Sequence, residues 1–227
     1  MSETPEQKLE RSRLVDHFKR AYQIVVGLSI TIACTKLFPD QFITFPLDAS
    51  FWLFCTFFVT VVPIFHGGDR SLDIKYLHDR PAGFGGHAGY VWDVYMLLIT
   101  AIFFVKIAQS VPGPQDTRST ILCSHRQTSP RNFYLWMGSM LIFDAIVLVI
   151  DGIRRLIVGG NENRFAAYIP WVLMNATLGA VCILAAHLPS TWSASTWPSA
   201  TIAFLVFVVA LLRTILDYVL GHEFLFP

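Results

Sequence analysis

The sequence predicts an all-α polytopic membrane protein with six transmembrane helices and both termini in the cytoplasm. Of its 227 residues, 54% are apolar and 15% are charged, a composition that excludes disordered, collagen-like and disulfide-stapled chains. The apolar residues cluster into six stretches of about 18 to 22 residues, each long enough to cross a hydrocarbon core of about 30 Å as a helix. All six Trp fall at or beside the ends of these stretches, as expected of a residue that favours the membrane interface.

We place the six spans at about 21–38, 49–65, 89–109, 133–151, 167–188 and 199–220. The segments between them are at most about 25 residues long, which leaves no room for a separate soluble domain of the usual size. We therefore expect residues 1–227 to form one transmembrane helical bundle. The sequence contains no fixed-period repeat, and its two halves are not similar, which argues against an inverted-repeat transporter.

Basic residues predict the orientation of the bundle. One side of the membrane would carry eleven Lys and Arg residues. The other side would carry Arg118, Arg126 and Arg131, with Lys36 and Lys106 at span edges. Because cytoplasmic segments are enriched in Lys and Arg, the richer side is predicted to be the cytoplasm. We expect an integral protein of a bacterial inner membrane. The richer side carries Lys8, Arg11, Arg13, Lys19, Arg20, Arg70, Lys75, Arg80, Arg154, Arg155 and Arg164.

The amino-terminal residues 1–20 are predicted to form a cytoplasmic helix. Thr4-Pro5-Glu6-Gln7 has the order of a capping box, with proline at the first helical position, where its missing N–H costs nothing. A single helix could therefore begin near Pro5 and continue through the membrane to about Lys36.

The second cytoplasmic segment, residues 66–88, is predicted to be a polar loop. Gly67-Gly68 is expected to end the second span, and the glycine-rich residues 81–89 are expected to form a flexible turn. The charged residues of this loop are candidates for docking a soluble cytoplasmic partner. They are Asp69, Arg70, Asp73, Lys75, His78 and Arg80.

The same loop supplies three imidazoles and two carboxylates, which are side chains from which a metal site can be built. Their spacing matches no HExxH pair and no histidine box, so we expect no metal and no cofactor. The four cysteines lack a CxxC pair. Cys34, Cys55 and Cys182 lie inside apolar spans, where a thiol behaves as a small apolar group, and a disulfide through Cys123 would require an oxidising side. The three imidazoles and two carboxylates of the 66–88 loop belong to His66, Asp69, His78, Asp79 and His87.

Ionisable residues inside the spans are the strongest functional signal. Asp144 lies roughly 16 Å into the fourth span, counted at 1.5 Å per residue from Phe133, near the middle of the bilayer. Such groups cost about 2.5 to 3.5 kcal/mol each at a helix centre and seldom face lipid. We therefore predict that Arg213 pairs with Asp217 on its own helix and with Asp144 or Asp151 on the fourth span.

These ionisable residues lie at mid-depth or in the cytoplasmic half of their spans, which predicts a polar cavity open to the cytoplasm. A static ion-pair network that only fixes helix register is the structural alternative. The residues assigned to transport or gating are Asp144, Asp151, Arg213, Asp217, Asp93 and His66.

The leading functional interpretation is a non-enzymatic homo-oligomer whose cavity passes or gates an ion, a proton or a small solute. One alternative is a membrane-anchoring subunit that docks a soluble partner through its amino-terminal helix and the 66–88 loop. Another is an intramembrane lipid-modifying enzyme, although no GxSxG, SxxK or P-loop pattern supports it. Lipid is the expected surrounding, and no nucleic-acid partner is expected.

Overall fold

A computed structural model describes residues 5–38, 48–78, 84–113, 130–157, 169–188 and 196–221. Within these ranges the regular structure is helical throughout and contains no strand, which confirms the all-α fold class. The six α-helices are α1 (Pro5–Leu37), α2 (Ala49–Leu72), α3 (Phe84–Ser110), α4 (Pro130–Ile157), α5 (Ile169–His187) and α6 (Thr196–Leu220), and a π-helix, Asp73–His78, continues α2.

Five of these helices, α2 to α6, are long and apolar enough to cross a membrane. The chain is therefore an integral membrane protein with a helical polytopic fold. Helix α1 is the exception, because charged residues occupy its first half and only its second half is apolar. It nevertheless runs without a break from Pro5 to Leu37, as the capping sequence predicts.

The predicted loop at residues 66–88 is wrong over most of its length. Helix α2 continues through Gly67-Gly68 to Leu72, and α3 begins at Phe84 instead of near residue 89. Tertiary packing explains the first difference. A Cβ atom at Gly68 would lie 2.8 Å from Leu97 Cδ2, so this glycine leaves room for the end of the Leu97 side chain inside a continuing helix.

Proline and glycine set the contacts between the helices. Pro63 lies inside α2 and has no N–H, so the carbonyl of Val59 one turn earlier loses its helical donor. The Thr214 hydroxyl on α6 donates to that carbonyl at 2.7 Å. Helices α4 and α5 pack together at Gly138 and Gly179, where a Cβ on Gly138 would lie 2.9 Å from the Gly179 carbonyl oxygen.

The bundle has two chemically different ends. We call the end where α2, α4 and α6 begin the apolar end, because fully buried apolar side chains fill the space between the helices there. The opposite end, where α2, α4 and α6 finish and α3 and α5 begin, is the polar end. It is the end that the basic residues predict to be cytoplasmic. The buried side chains at the apolar end include Leu53, Phe57, Phe104, Ile107, Phe133 and Met137.

Candidate functional site

A cavity of about 570 Å³ lies at the polar end between α2, α3, α4, α5 and α6. It extends from the helix ends, at Trp92 and Gly221, down to Thr100 and Asp144. Asp144 is at the middle of α4, so the cavity reaches the central part of the bundle. Five of the six residues that the sequence assigns to transport or gating line it: Asp93, Asp144, Asp151, Arg213 and Asp217.

The deepest polar group in the cavity is a chain of hydrogen bonds from α6 through α5 to α4. Arg213, which is only 6% exposed, donates to Asn175 Oδ1 from Nε at 3.2 Å and from Nη2 at 2.7 Å. Asn175 Nδ2 in turn donates to Asp144 Oδ2. The prediction that Arg213 pairs directly with Asp144 or Asp151 is therefore wrong, because Asn175 occupies the position between the two charges.

The predicted pair within α6 is confirmed. Arg213 Nη1 lies 3.6 Å from Asp217 Oδ2, one helical turn further along the same face. Asp217 also accepts a hydrogen bond of 2.6 Å from Trp171 Nε1 on α5. Trp171 thus has a role beyond marking the membrane interface, since it helps to hold a buried carboxylate.

A second polar cluster lies nearer the helix ends. Lys75 Nζ is 3.1 Å from Asp93 Oδ2 on α3 and 3.4 Å from Asp151 Oδ1 on α4. The Tyr76 hydroxyl donates to the same Asp93 oxygen at 2.7 Å. Lys75, which the sequence places in the docking set, is one of the cavity's lining residues. The π-helix that carries Lys75 and Tyr76 is a form of helix often found at functional sites.

His66 is the transport candidate that does not line the cavity. Its Nδ1 lies 3.0 Å from the Tyr218 hydroxyl, which ties the end of α2 to α6. In the docking set, the side chain of His78 and the whole of Arg80 lie outside the described residues, and Arg70 is partly buried. Of the five possible metal ligands in the 66–88 segment, only His66 and Asp69 have described side chains.

The remaining docking residues, Asp69 and Asp73, bind Lys19 of α1. Lys19 Nζ lies 3.0 Å from Asp69 Oδ2 and 2.9 Å from Asp73 Oδ2. Partial burial alone would lower the pKa of Lys19, but hydrogen bonds and Coulomb attraction from the two carboxylates outweigh it and raise that pKa above its usual value of 10.5. These contacts hold the charged half of α1 against the extension of α2.

The cavity combines an acidic charge balance with an apolar wall. Four carboxylates and two basic side chains line it, so with all of them ionised its net charge is negative. The remaining lining includes Ile64, Met96, Leu97, Phe143 and Val147. Its volume is in the range of small-molecule sites, which are typically about 300 to 1,000 Å³ and mostly apolar with a few placed polar groups. The arrangement is suited to a small cation.

Comparison with known protein families, with curated proteins and with solved structures finds no match. The fold and the site therefore define the protein by class: an integral membrane protein, built of helices, with a deep acidic cavity at one end of its bundle.

The sequence analysis did not assign three side chains of the site: Asn175, Tyr76, and Trp171 in its role as hydrogen-bond donor to Asp217. A signal existed for Asn175, because it is the one amide in the fifth predicted span, and such side chains often hydrogen-bond across helices in membranes. Tyr76 and Trp171 gave no such signal, since both residue types are also common at membrane interfaces.

Proposed function

We propose that the protein binds a small cation in the acidic cavity and moves it, or a proton in its place, across the membrane. The observation that supports this most strongly is the convergence of Asp93, Asp144, Asp151 and Asp217 from three helices on one cavity. Ionisable side chains inside membrane spans are costly and mark ion and proton paths. An excess of carboxylates over cations attracts a positively charged solute.

The depth of the cavity supports passage rather than surface binding. The cavity extends from the polar end to Asp144 at the middle of α4, and the side chains packed between there and the apolar end include Phe57, Phe104 and Met137. Opening of that apolar packing, with closure of the polar end, would expose the same carboxylate to the other side. This is the alternating access by which transporters work around a site near the bilayer midplane.

Pro63 offers a position about which the helices could move. The carbonyl freed by Pro63 is held by the Thr214 hydroxyl, next in sequence to Arg213. A shift of α6 against α2 would therefore break this one side-chain hydrogen bond and would leave the remaining backbone hydrogen bonds of α2 in place. Arg213 would move with it relative to Asn175 and Asp144.

Docking of a soluble partner has less support than it had from the sequence. Asp69 and Asp73 pair with Lys19, and Lys75 contacts Asp93 and Asp151. Three of the six docking candidates thus hold this chain's own helices together. Assembly into a homo-oligomer and location in a bacterial inner membrane stay predictions.

Cation binding can be measured directly with methylammonium as the probe. In nanodiscs of phosphatidylglycerol, calorimetric titration should show saturable binding to the intact chain. Asp144→Asn keeps the shape of the side chain but removes its charge, so we expect binding to weaken by about tenfold or more. The control is Asp16→Asn, an exposed position on α1 that does not line the cavity. Equal affinities for Asp144→Asn and the intact chain would contradict the proposal.

A further inference from the structure

A second, smaller cavity of about 250 Å³ lies between α5 and α6. Its walls are apolar except for Thr177 and Arg213. Leu212 on its rim is 55% exposed, and Leu173 and Leu216 are exposed to a similar degree. In a membrane-spanning helix these exposed leucines face lipid chains, so the cavity is a groove on the bilayer side of the bundle. The groove is lined by Leu173, Met174, Thr177, Leu178, Val209, Leu212, Arg213 and Leu216.

The helix contacts explain why a groove forms at this place. Helix α5 packs most closely on α4, through Gly138 and Gly179, and α6 packs most closely on α2. The contact between α5 and α6 is much less extensive than either of these. Away from the hydrogen bonds that Asn175 and Trp171 of α5 make with α6, the two helices can therefore separate locally without loss of the main packing of the bundle.

Arg213 lines both the acidic cavity and the groove. Its side chain is 6% exposed, and its Nη1 has no hydrogen-bond partner, although Asp217 Oδ2 lies 3.6 Å away. A buried guanidinium N–H without an acceptor is unusual, because the missing hydrogen bond costs free energy. A ligand that spans the two cavities would bring an acceptor to this nitrogen.

We propose that the cation carried in the acidic cavity is the ammonium head of a single-chain amino lipid, and that its hydrocarbon chain lies in the groove between α5 and α6. This inference rests on the proposed function and names the class of its solute. The ammonium lies among the carboxylates, and an oxygen next to it, such as a phosphate oxygen, accepts from Arg213 Nη1. The chain extends between Met174 and Leu212 toward the bilayer.

The charge of the cavity decides among the possible amphiphiles. An anionic head without an ammonium group would bring more negative charge to a site that already has more carboxylates than cations. A water-soluble amine would leave the groove without a function. Lipid chains already surround a lysolipid in the bilayer, so the groove adds affinity only through the fit of the chain between α5 and α6. Selection therefore depends on the head, and the groove positions the chain.

Three matched probes test the inference on the full chain in phosphatidylglycerol nanodiscs. They are lysophosphatidylethanolamine, lysophosphatidylglycerol of the same chain length, which lacks the ammonium, and glycerophosphoethanolamine, which lacks the chain. Retention above that of empty nanodiscs is measured with radiolabelled probes. We expect one lysophosphatidylethanolamine per protein, bound about tenfold more tightly than either of the other two.

A pair of variants tests the groove itself. Leu212→Trp fills the groove and should weaken binding of lysophosphatidylethanolamine about tenfold. Leu205→Trp, on the same helix and similarly exposed at 56%, lies outside the groove and should have no effect. Met174→Trp fills the groove from α5 and should weaken binding in the same way, so the test does not depend on the folding of the Leu212→Trp variant alone.

The outcomes separate this inference from the proposed function. If the two lysolipids bind equally, or if the groove variants leave binding unchanged, the amino-lipid inference is wrong. In that case saturable binding of glycerophosphoethanolamine or methylammonium would still support a cation site. If methylammonium and all three probes fail to bind, both proposals are wrong.

Discussion

Asn175 Oδ1 accepts two hydrogen bonds from Arg213, so the guanidinium of α6 is held by a neutral amide of α5. The same amide donates to Asp144 of α4. Arg213 therefore reaches the Asp144 carboxylate through Asn175 and does not form a direct ion pair with it. This indirect link is the reason to regard Asp144 as a site for an incoming cation.

Removal of the Asn175 amide should destabilise the bundle. Asn175→Leu leaves buried donors of Arg213 and a buried acceptor of Asp144 without partners, so we expect the free energy of unfolding to fall by about 1 to 3 kcal/mol. Thermal unfolding in detergent measures the effect. Asn132→Leu, at an exposed position of α4, should change little. Equal stability of the two variants would show that the chain of hydrogen bonds does not hold the helices.

The hydrogen bond between Thr214 and Val59 should depend on Pro63. Thr214→Val removes the donor and leaves the Val59 carbonyl unsatisfied, at an expected cost of about 1 to 2 kcal/mol. In a Pro63→Ala background the alanine N–H can restore the helical hydrogen bond, so the same substitution should cost less. A double-mutant cycle measures the coupling between the two positions. Additive costs would refute the explanation.

Much of this fold could be predicted from the sequence, because lipid imposes strong constraints. A span must be long, apolar and helical, so α2 to α6 follow from runs of apolar residues. An ionisable side chain in such a span is driven toward the interior, which explains why five residues on α3, α4 and α6 meet in one cavity.

The sequence-based predictions are wrong where contacts between residues distant in sequence outweigh the local conformational preference. Gly67-Gly68 has the composition of a helix end, but α2 continues through both residues, with the side chain of Leu97 from α3 against Gly68. Lys75 looks like a loop residue, yet it contacts Asp151 from 76 positions away. No local pattern predicts such pairs, because they depend on the way in which whole helices pack.

The contacts of Lys19 predict a dependence of stability on alkaline pH. Its pKa is raised in the folded protein, so its contribution is complete below the unfolded value of 10.5 and is lost as pH rises through the folded pKa. We expect the unfolding temperature to fall as the pH rises above about 10.5. In Lys19→Met this part of the decrease should be absent. Identical pH profiles for the variant and the intact chain would contradict the assignment.

The basic residues predict that the polar end and both termini face the cytoplasm. A phosphatase fused after Pro227 should therefore be inactive in intact bacterial cells, while a fluorescent protein at the same position should be fluorescent. Fusions placed after Gly113, beyond the carboxyl end of α3, should show the reverse. An active phosphatase after Pro227 would invert the map and would place the cavity on the outer side.

The most direct test of the central claim is cation flux in proteoliposomes under an imposed, inside-negative potential. Methylammonium uptake and internal pH are followed together. The account predicts faster entry of methylammonium or protons than in protein-free vesicles, with a loss of about tenfold or more in Asp144→Asn and little change in Asp16→Asn. Vesicles with the intact protein that stay tight to both cations, or an Asp144→Asn variant that conducts as well as the intact chain, would contradict it.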